Sequence, residues 1–156
     1  MDREERLIVE VRTLFNKLSW LNKIKMEAAL KEYKASEVHF LEYIDKNEDI
    51  NVTKLAESFF MTRSAMSKVA KKLIKKGYIE SYQKPENKKE IYFKLTEQGE
   101  KINKVHEKLH NEFRQRDKVV FDKLDDEQLV NMLAFIQEYS NHLDKEIEKV
   151  NVSVTE

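Results

Sequence analysis

Thr62-Arg63-Ser64-Ala65-Met66-Ser67-Lys68-Val69-Ala70-Lys71-Lys72-Leu73-Ile74-Lys75-Lys76-Gly77-Tyr78-Ile79 is the stretch on which the fold turns. Met66, Val69, Ala70, Leu73 and Ile74 recur at three- and four-residue steps, the spacing of one apolar stripe on a helix. Thr62 stands where a hydroxyl can cap that helix. Gly77 stands where a left-handed residue ends it, and Lys75 and Lys76 suit the negative helix end. The residues off the stripe are Arg63, Ser64, Ser67, Lys68, Lys71 and Lys72, so the solvent face is short, polar and basic.

Upstream, Asn51 is placed to cap a short helix carrying Leu55, Ala56 and Phe59, with a tight turn at Phe60-Met61. Ser36 is the expected cap of the helix before it, which carries Val38, Leu41 and Ile44, and Asn47-Glu48-Asp49 ends that helix. Downstream the period changes. Tyr78, Ile79 and Tyr82 form a strand-like run, and 83–89 is polar and holds the only proline. Ile91, Phe93 and Leu95 then alternate with polar residues, so a β-hairpin is expected. Two helices joined by a tight turn and followed by a basic hairpin read as a winged helix-turn-helix.

The ends of the chain are helical. Leu7, Val11, Leu14, Leu18, Leu21, Ile24 and Ala28 predict one long helix from about Asp2 to Lys31. Thr96 is expected to cap a helix with Ile102, Val105, Leu109 and Phe113. Asp125, with Gln128 three residues on, caps the last helix, whose stripe is Leu129, Met132, Leu133, Ile136 and Leu143. Residues 151–156 read as a tail. The fold class is therefore mainly α (α+β), divided as an N-terminal helix (1–35), a winged helix-turn-helix lobe (36–95) and C-terminal helices (96–150). The two outer stripes exceed what so small a lobe can bury, and a second copy of the chain is the natural cover. An intramolecular bundle is the plainer alternative.

Composition narrows the function. Among 156 residues, 40% are hydrophobic and 37% charged, which suits a soluble protein with exposed helices. No apolar run approaches a membrane span and no apolar segment follows the charged start, so a cytoplasmic protein without membrane partners is expected. With no cysteine there is neither a disulfide nor a thiolate site. No glycine-rich phosphate loop or nucleophile motif is present, and no catalytic residue is assigned: an enzyme is not expected. The net charge is zero, but residues 61–94 hold ten basic and three acidic side chains, a net of +7 that the remaining 19 basic and 26 acidic residues cancel. One basic block on an acidic scaffold is the footprint of a phosphate-binding surface, although a lysine run alone is equally well a solvated helix face. Arg63 suits bidentate pairing with guanine, Thr62, Ser64, Ser67 and Lys68 share its end of the helix, and Lys71 and Lys72 suit phosphate.

The stretches Asn51-Val52-Thr53-Lys54-Leu55-Ala56, Thr62–Lys68, Lys75-Lys76-Gly77-Tyr78-Ile79-Glu80, Pro85–Lys89 and Leu95-Thr96-Glu97-Gln98-Gly99 together resemble the MarR family of regulators. The resemblance implies a homodimer that reads a pseudo-palindrome in double-stranded DNA, usually as a repressor, with the terminal helices as dimer interface. It also implies that the wing touches DNA through Lys84, Asn87, Lys88 and Lys89. The family's wing usually carries an Asp and an Arg near its tip. Asn87, Lys88 and Lys89 stand there, so that brace is missing, and lysine is the poorer minor-groove probe.

Two effector classes follow. His106 and His110 are one helical turn apart, a ligand spacing that surface helices also carry by chance. In the zinc-responsive repressors of the resembling family such a pair joins a histidine of the second helix, here His39, and a carboxylate of the first, for which Glu27 is the nearest candidate. Zinc is accordingly a candidate effector. The alternatives are a small aromatic ligand in a cleft lined by Phe15, Trp20, Tyr33 and Tyr43, which serve equally well as packing aromatics, and a winged helix used as a protein-interaction module.

Overall fold

The computed structural model describes the backbone of residues 2–155 and the side chains of 2–150. Its elements are α1 (Arg3–Ala29), α2 (Ala35–Lys46), α3 (Val52–Ser58), α4 (Arg63–Lys75), β1 (Ile79–Lys84), β2 (Asn87–Leu95), α5 (Glu97–Phe121) and α6 (Asp126–Thr155). The chain divides into two compact units, residues 1–113 and 114–156.

Local chemistry sets most boundaries. Asp2 and Glu5 form a reciprocal capping box at the start of α1. Asn51 accepts from the Lys54 amide at 2.9 Å, and Thr62 from the Ala65 amide at 3.1 Å. Asp125 and Gln128 close a second box at 2.7 and 3.0 Å. The expected cap at Ser36 is displaced: α2 starts two residues earlier, with Lys34 as its N-cap and no side-chain cap of its own. Glu37 occupies the third helical position, where a carboxylate suits the positive end of the helix. At the other extreme, α6 runs on to Thr155 through residues read as a tail, where no Gly or Pro interrupts it. The side chains of 151–156 lie outside the described residues.

The end of α4 is a Schellman motif. Tyr78 N donates to Leu73 O at 3.0 Å and Gly77 N to Ile74 O at 2.9 Å, with Gly77 at φ +77°. Thr96 ties this corner to α5: its hydroxyl donates to Gly77 O at 2.5 Å and accepts from Gly99 N at 3.1 Å. Gly99 permits the approach, because a Cβ there would lie 2.0 Å from Tyr78 O.

β1 and β2 pair antiparallel from Ile79–Leu95 out to Lys84–Asn87, leaving only Pro85-Glu86 as the tip. The polar run 83–89 is thus largely strand. A wing stands clear of the core, so its strands need no apolar alternation to announce them. Pro85 fixes φ near about −65° and excludes the primed two-residue turns, and a register shift between Tyr82 and Lys84 accompanies it. Behind the wing, Leu41, Ile50, Met66, Leu73 and Ile79 form the centre of the core, all at most 2% exposed.

No residue of α1 is buried, although Leu30 just beyond it is. Leu7, Val11, Leu14, Leu18, Leu21 and Ile24 stay 36–57% exposed, and on α6 Val130, Leu133, Ile136 and Leu143 stay 46–65% exposed. No described helix is long and apolar enough to cross a membrane.

Candidate nucleic-acid interface

The helix-turn-helix places α4 with one face in the core and the other in solvent. Met66, Ala70 and Leu73 are buried, and Thr62, Arg63, Ser64, Lys68, Lys71, Lys72 and Lys75 are exposed. At about 100° per residue, Ser64, Ser67, Lys68, Lys71 and Lys75 share an arc of about 100° roughly opposite the buried side chains. Arg63 lies at one edge of that arc and Lys72 at the other. A helix so armed, with short hydroxyls in its first turns and cations behind them, fits a major groove between two phosphate rows.

The cations are not equivalent. Glu37, only 4% exposed, holds Lys76 at 2.7 Å and Lys72 at 3.5 Å. Burial pushes the Glu37 carboxyl up, but the Lys76 hydrogen bond and charge outweigh it and leave the group below the ordinary glutamate value. Lys34 is pulled below the usual lysine value by the neighbouring Lys72 ammonium, whose like charge disfavours its own. Three ammonium groups therefore crowd one carboxylate at the junction of α2 and α4. On the wing, Lys84 pairs with Asp49 at 2.5 Å and Lys94 with Glu80 at 3.4 Å. Among the described residues Arg63, Lys68, Lys71, Lys75, Lys88 and Lys89 form no such ion pair, and Lys88 and Lys89 project from the exposed tip. Asn87 is turned inward: its side-chain oxygen accepts from the amides of Lys89 and Glu90 at 3.2 and 3.3 Å. Its structural role is to shape the tip. Sequence reasoning missed Glu37 and Asp49, because neither carries a motif and each matters only through a partner more than thirty residues away.

A second group of polar side chains lies between α2 and α5. Glu42, His106 and His110 each place one potential ligand atom within 4.8 Å of the others'. His106 Nε2 and His110 Nε2 are 3.0 Å apart, and the His39 ring stands 5.7 Å from that of His106, centroid to centroid. His106 is 1% exposed, and its Nδ1 has no hydrogen-bond partner, with Glu42 Oε2 3.7 Å away. Burial, and then the neighbouring His110, push the His106 imidazole down to about 4 despite the opposing pull of Glu42. The ring is therefore neutral at pH 7, and its contact with Glu42 is not an ion pair there. Glu27 does not join this group: it lies on the exposed side of α1, 3.5 Å from Lys23. The carboxylate present is Glu42, one turn after His39 on the same face of α2. That i, i+3 relation was visible in the sequence and is the signal that would have found it.

Of the aromatic residues expected around an effector cleft, Tyr33 borders a cleft of about 610 Å³ that also involves Leu30, Lys31, Lys101, Ile102 and Val105. Tyr43 packs on Phe59 with ring centroids 5.6 Å apart, and Phe15 and Trp20 project from α1 at 67% and 68% exposure.

Comparison with known proteins gives this geometry a context. Residues 34–91, which hold α2 to the second strand, match the model of the MarR family. The chain is 34% identical over 111 residues to the HTH-type transcriptional regulator YhjH of Bacillus subtilis, covering 70% of this chain and 63% of that one. It is 30% identical over 105 residues to YvnA, a regulator of the same type and organism, with 67% of each chain covered. The chain thus spans somewhat less than two thirds of YhjH. Among solved structures, FabT of Streptococcus pneumoniae in complex with DNA superposes with a TM-score of 0.75 at 18% identity, over 91% of this chain and 98% of that one, and shares the fold. On the matched segment and the identity to these relatives, the chain belongs to the MarR family.

Proposed function

We propose that this chain is a sequence-specific DNA-binding transcriptional regulator, a cytoplasmic repressor that acts as a homodimer on a pseudo-palindromic operator. The observation that carries the reading is the α4 face, where Lys68, Lys71 and Lys75 stand unpaired beside Ser64 and Ser67. Two further facts support it. The relatives are named as transcriptional regulators, which speaks for a regulator and against an enzyme or a protein-interaction module. The apolar faces of α1 and α6 are half exposed, and each Leu or Ile on them has about 1 kcal/mol to gain from burial against a second copy. Selection of bound duplexes from a random pool tests the reading. A palindromic consensus is expected, and Arg63→Ala should cost about 1–3 kcal/mol on that duplex and relax one base position. Equal loss on the selected and the random duplexes would sink direct base reading by Arg63.

A metal-responsive form of this function is favoured by the Glu42, His106 and His110 group. Two imidazoles and one carboxylate form a donor set suited to zinc, and the His39 ring stands beside it, 5.7 Å from that of His106. An ion there would link α2 of the DNA-binding lobe to the helix leaving the wing. Micromolar zinc should raise the melting temperature of the wild type and not of His106→Ala/His110→Ala. A zinc-insensitive wild type ends this reading and leaves the DNA reading standing.

A further inference from the structure

A two-stranded hairpin is marginal by itself, and this wing lacks the acid–base pair that the resemblance leads one to expect near the tip. It is held at its base instead. The Phe93 amide donates to Ile50 O at 2.8 Å, the only bridge from β1 or β2 to another segment among the described residues. Around that bridge the turn between α2 and α3 sends out two polar side chains. Asn51 Nδ2 donates to Glu90 Oε2 at 3.2 Å. Asp49 takes Lys84 Nζ on Oδ2 at 2.5 Å and the Tyr82 hydroxyl on Oδ1 at 3.3 Å. Lys84 Nζ also lies 5.2 Å over the Tyr92 ring, and the Tyr82 and Tyr92 rings are 5.5 Å apart. Asp49 has φ +53°, a conformation that Asp tolerates better than most residues and that tertiary contacts must hold. The register shift between Tyr82 and Lys84 falls at the two residues Asp49 grips.

We propose that Asp49 is a positioning residue for the wing: by gripping Lys84 and Tyr82 it fixes where Lys88 and Lys89 meet DNA. The proposal rests on the DNA-binding reading. It removes Lys84 from the phosphate contacts and gives it a structural task. It also explains how a wing without the usual brace keeps its orientation: the brace has moved from tip to base and joins the wing to the turn before the helix-turn-helix.

The test compares the wild-type chain with Asp49→Asn, Lys84→Met and the double variant. Asparagine keeps the left-handed backbone and removes the charge, and methionine keeps the length of the stem. Hydrogen exchange of the β1 and β2 amides should become about tenfold faster in each single variant, while the amides of Met66 and Leu73 in α4 stay as protected as in the wild type. The double variant should lose no more than either single one, because the two side chains act through each other. Affinity for a random-sequence 30-base-pair duplex should fall about threefold in step. Unchanged wing exchange in Asp49→Asn, or additive losses in the double variant, would overturn the brace. Faster exchange with unchanged duplex affinity would overturn its role in presenting Lys88 and Lys89. A wild type that holds no duplex at all overturns that role together with the DNA reading, and the exchange measurement then decides the brace by itself.

Discussion

At the residue scale the basic face divides into cations already neutralised within the chain and cations that are not. Lys72 and Lys76 share Glu37, whereas Lys68, Lys71 and Lys75 have no carboxylate to leave before they meet a phosphate. Lys71→Ala should flatten the dependence of log K on log salt by about one unit, and Lys72→Ala by less. Glu37→Gln should steepen it, because it releases two lysines to the DNA; a slope unchanged from the wild type would show that Glu37 does not restrain them. Because the Glu37 carboxyl sits below its ordinary value when folded, its stabilisation is present at neutral pH and lost as pH falls through that lowered value. His106 titrates in the same direction for a different reason. Folding lowers it from 6.5 to about 4, so the neutral ring stabilises the fold fully above about 6.5 and loses that contribution between 6.5 and 4. In metal-free protein, unfolding free energy should fall over that window by at most roughly 3–4 kcal/mol. His106→Gln should flatten the fall; an equally steep curve in that variant would assign it to other groups.

At the element scale, what was legible is what short-range chemistry decides. The capping bonds at Asn51, Thr62, Gly77, Thr96 and Asp125 each reach no more than four residues, and each ends or starts an element where the sequence placed it. The start of α2 was misread because a serine stood in view, while the helix begins earlier, at Ala35, with Lys34 as a cap that makes no side-chain bond. The wing was cut short because polar strands resemble a loop when neither face is buried. The joint between α4, β1 and α5 offers a quantitative check. Gly77→Ala should cost about 1–2 kcal/mol, the penalty of a left-handed backbone with a Cβ. Gly99→Ala should cost more, on the order of 3 kcal/mol, because its Cβ meets a backbone carbonyl that cannot turn aside. Denaturant unfolding measures both, and Gly99→Ala milder than Gly77→Ala would contradict the packing described for Tyr78.

At the scale of the whole molecule, the sequence made the lobe, the basic block and the outer stripes legible, and left obscure which cations are spoken for. That depends on Glu37 and Asp49, whose partners lie on other elements. Assembly has its own test. Sedimentation at micromolar concentration should give a dimer for the wild type, and Leu14→Glu/Leu133→Glu should shift it towards monomer, since both side chains are more than half exposed in the single chain. A monomeric wild type would remove the dimer from the proposed function. The central claim, that the α4 face binds duplex DNA, is tested most directly by titrating salt against the affinity of the wild type and of Lys68→Ala/Lys71→Ala for the selected duplex. The wild type should show a log–log slope steeper than the variant's by about two units, with a selected duplex that binds on the order of a thousandfold tighter than a random one. The same slope for both proteins, or no preference for the selected duplex, would contradict it.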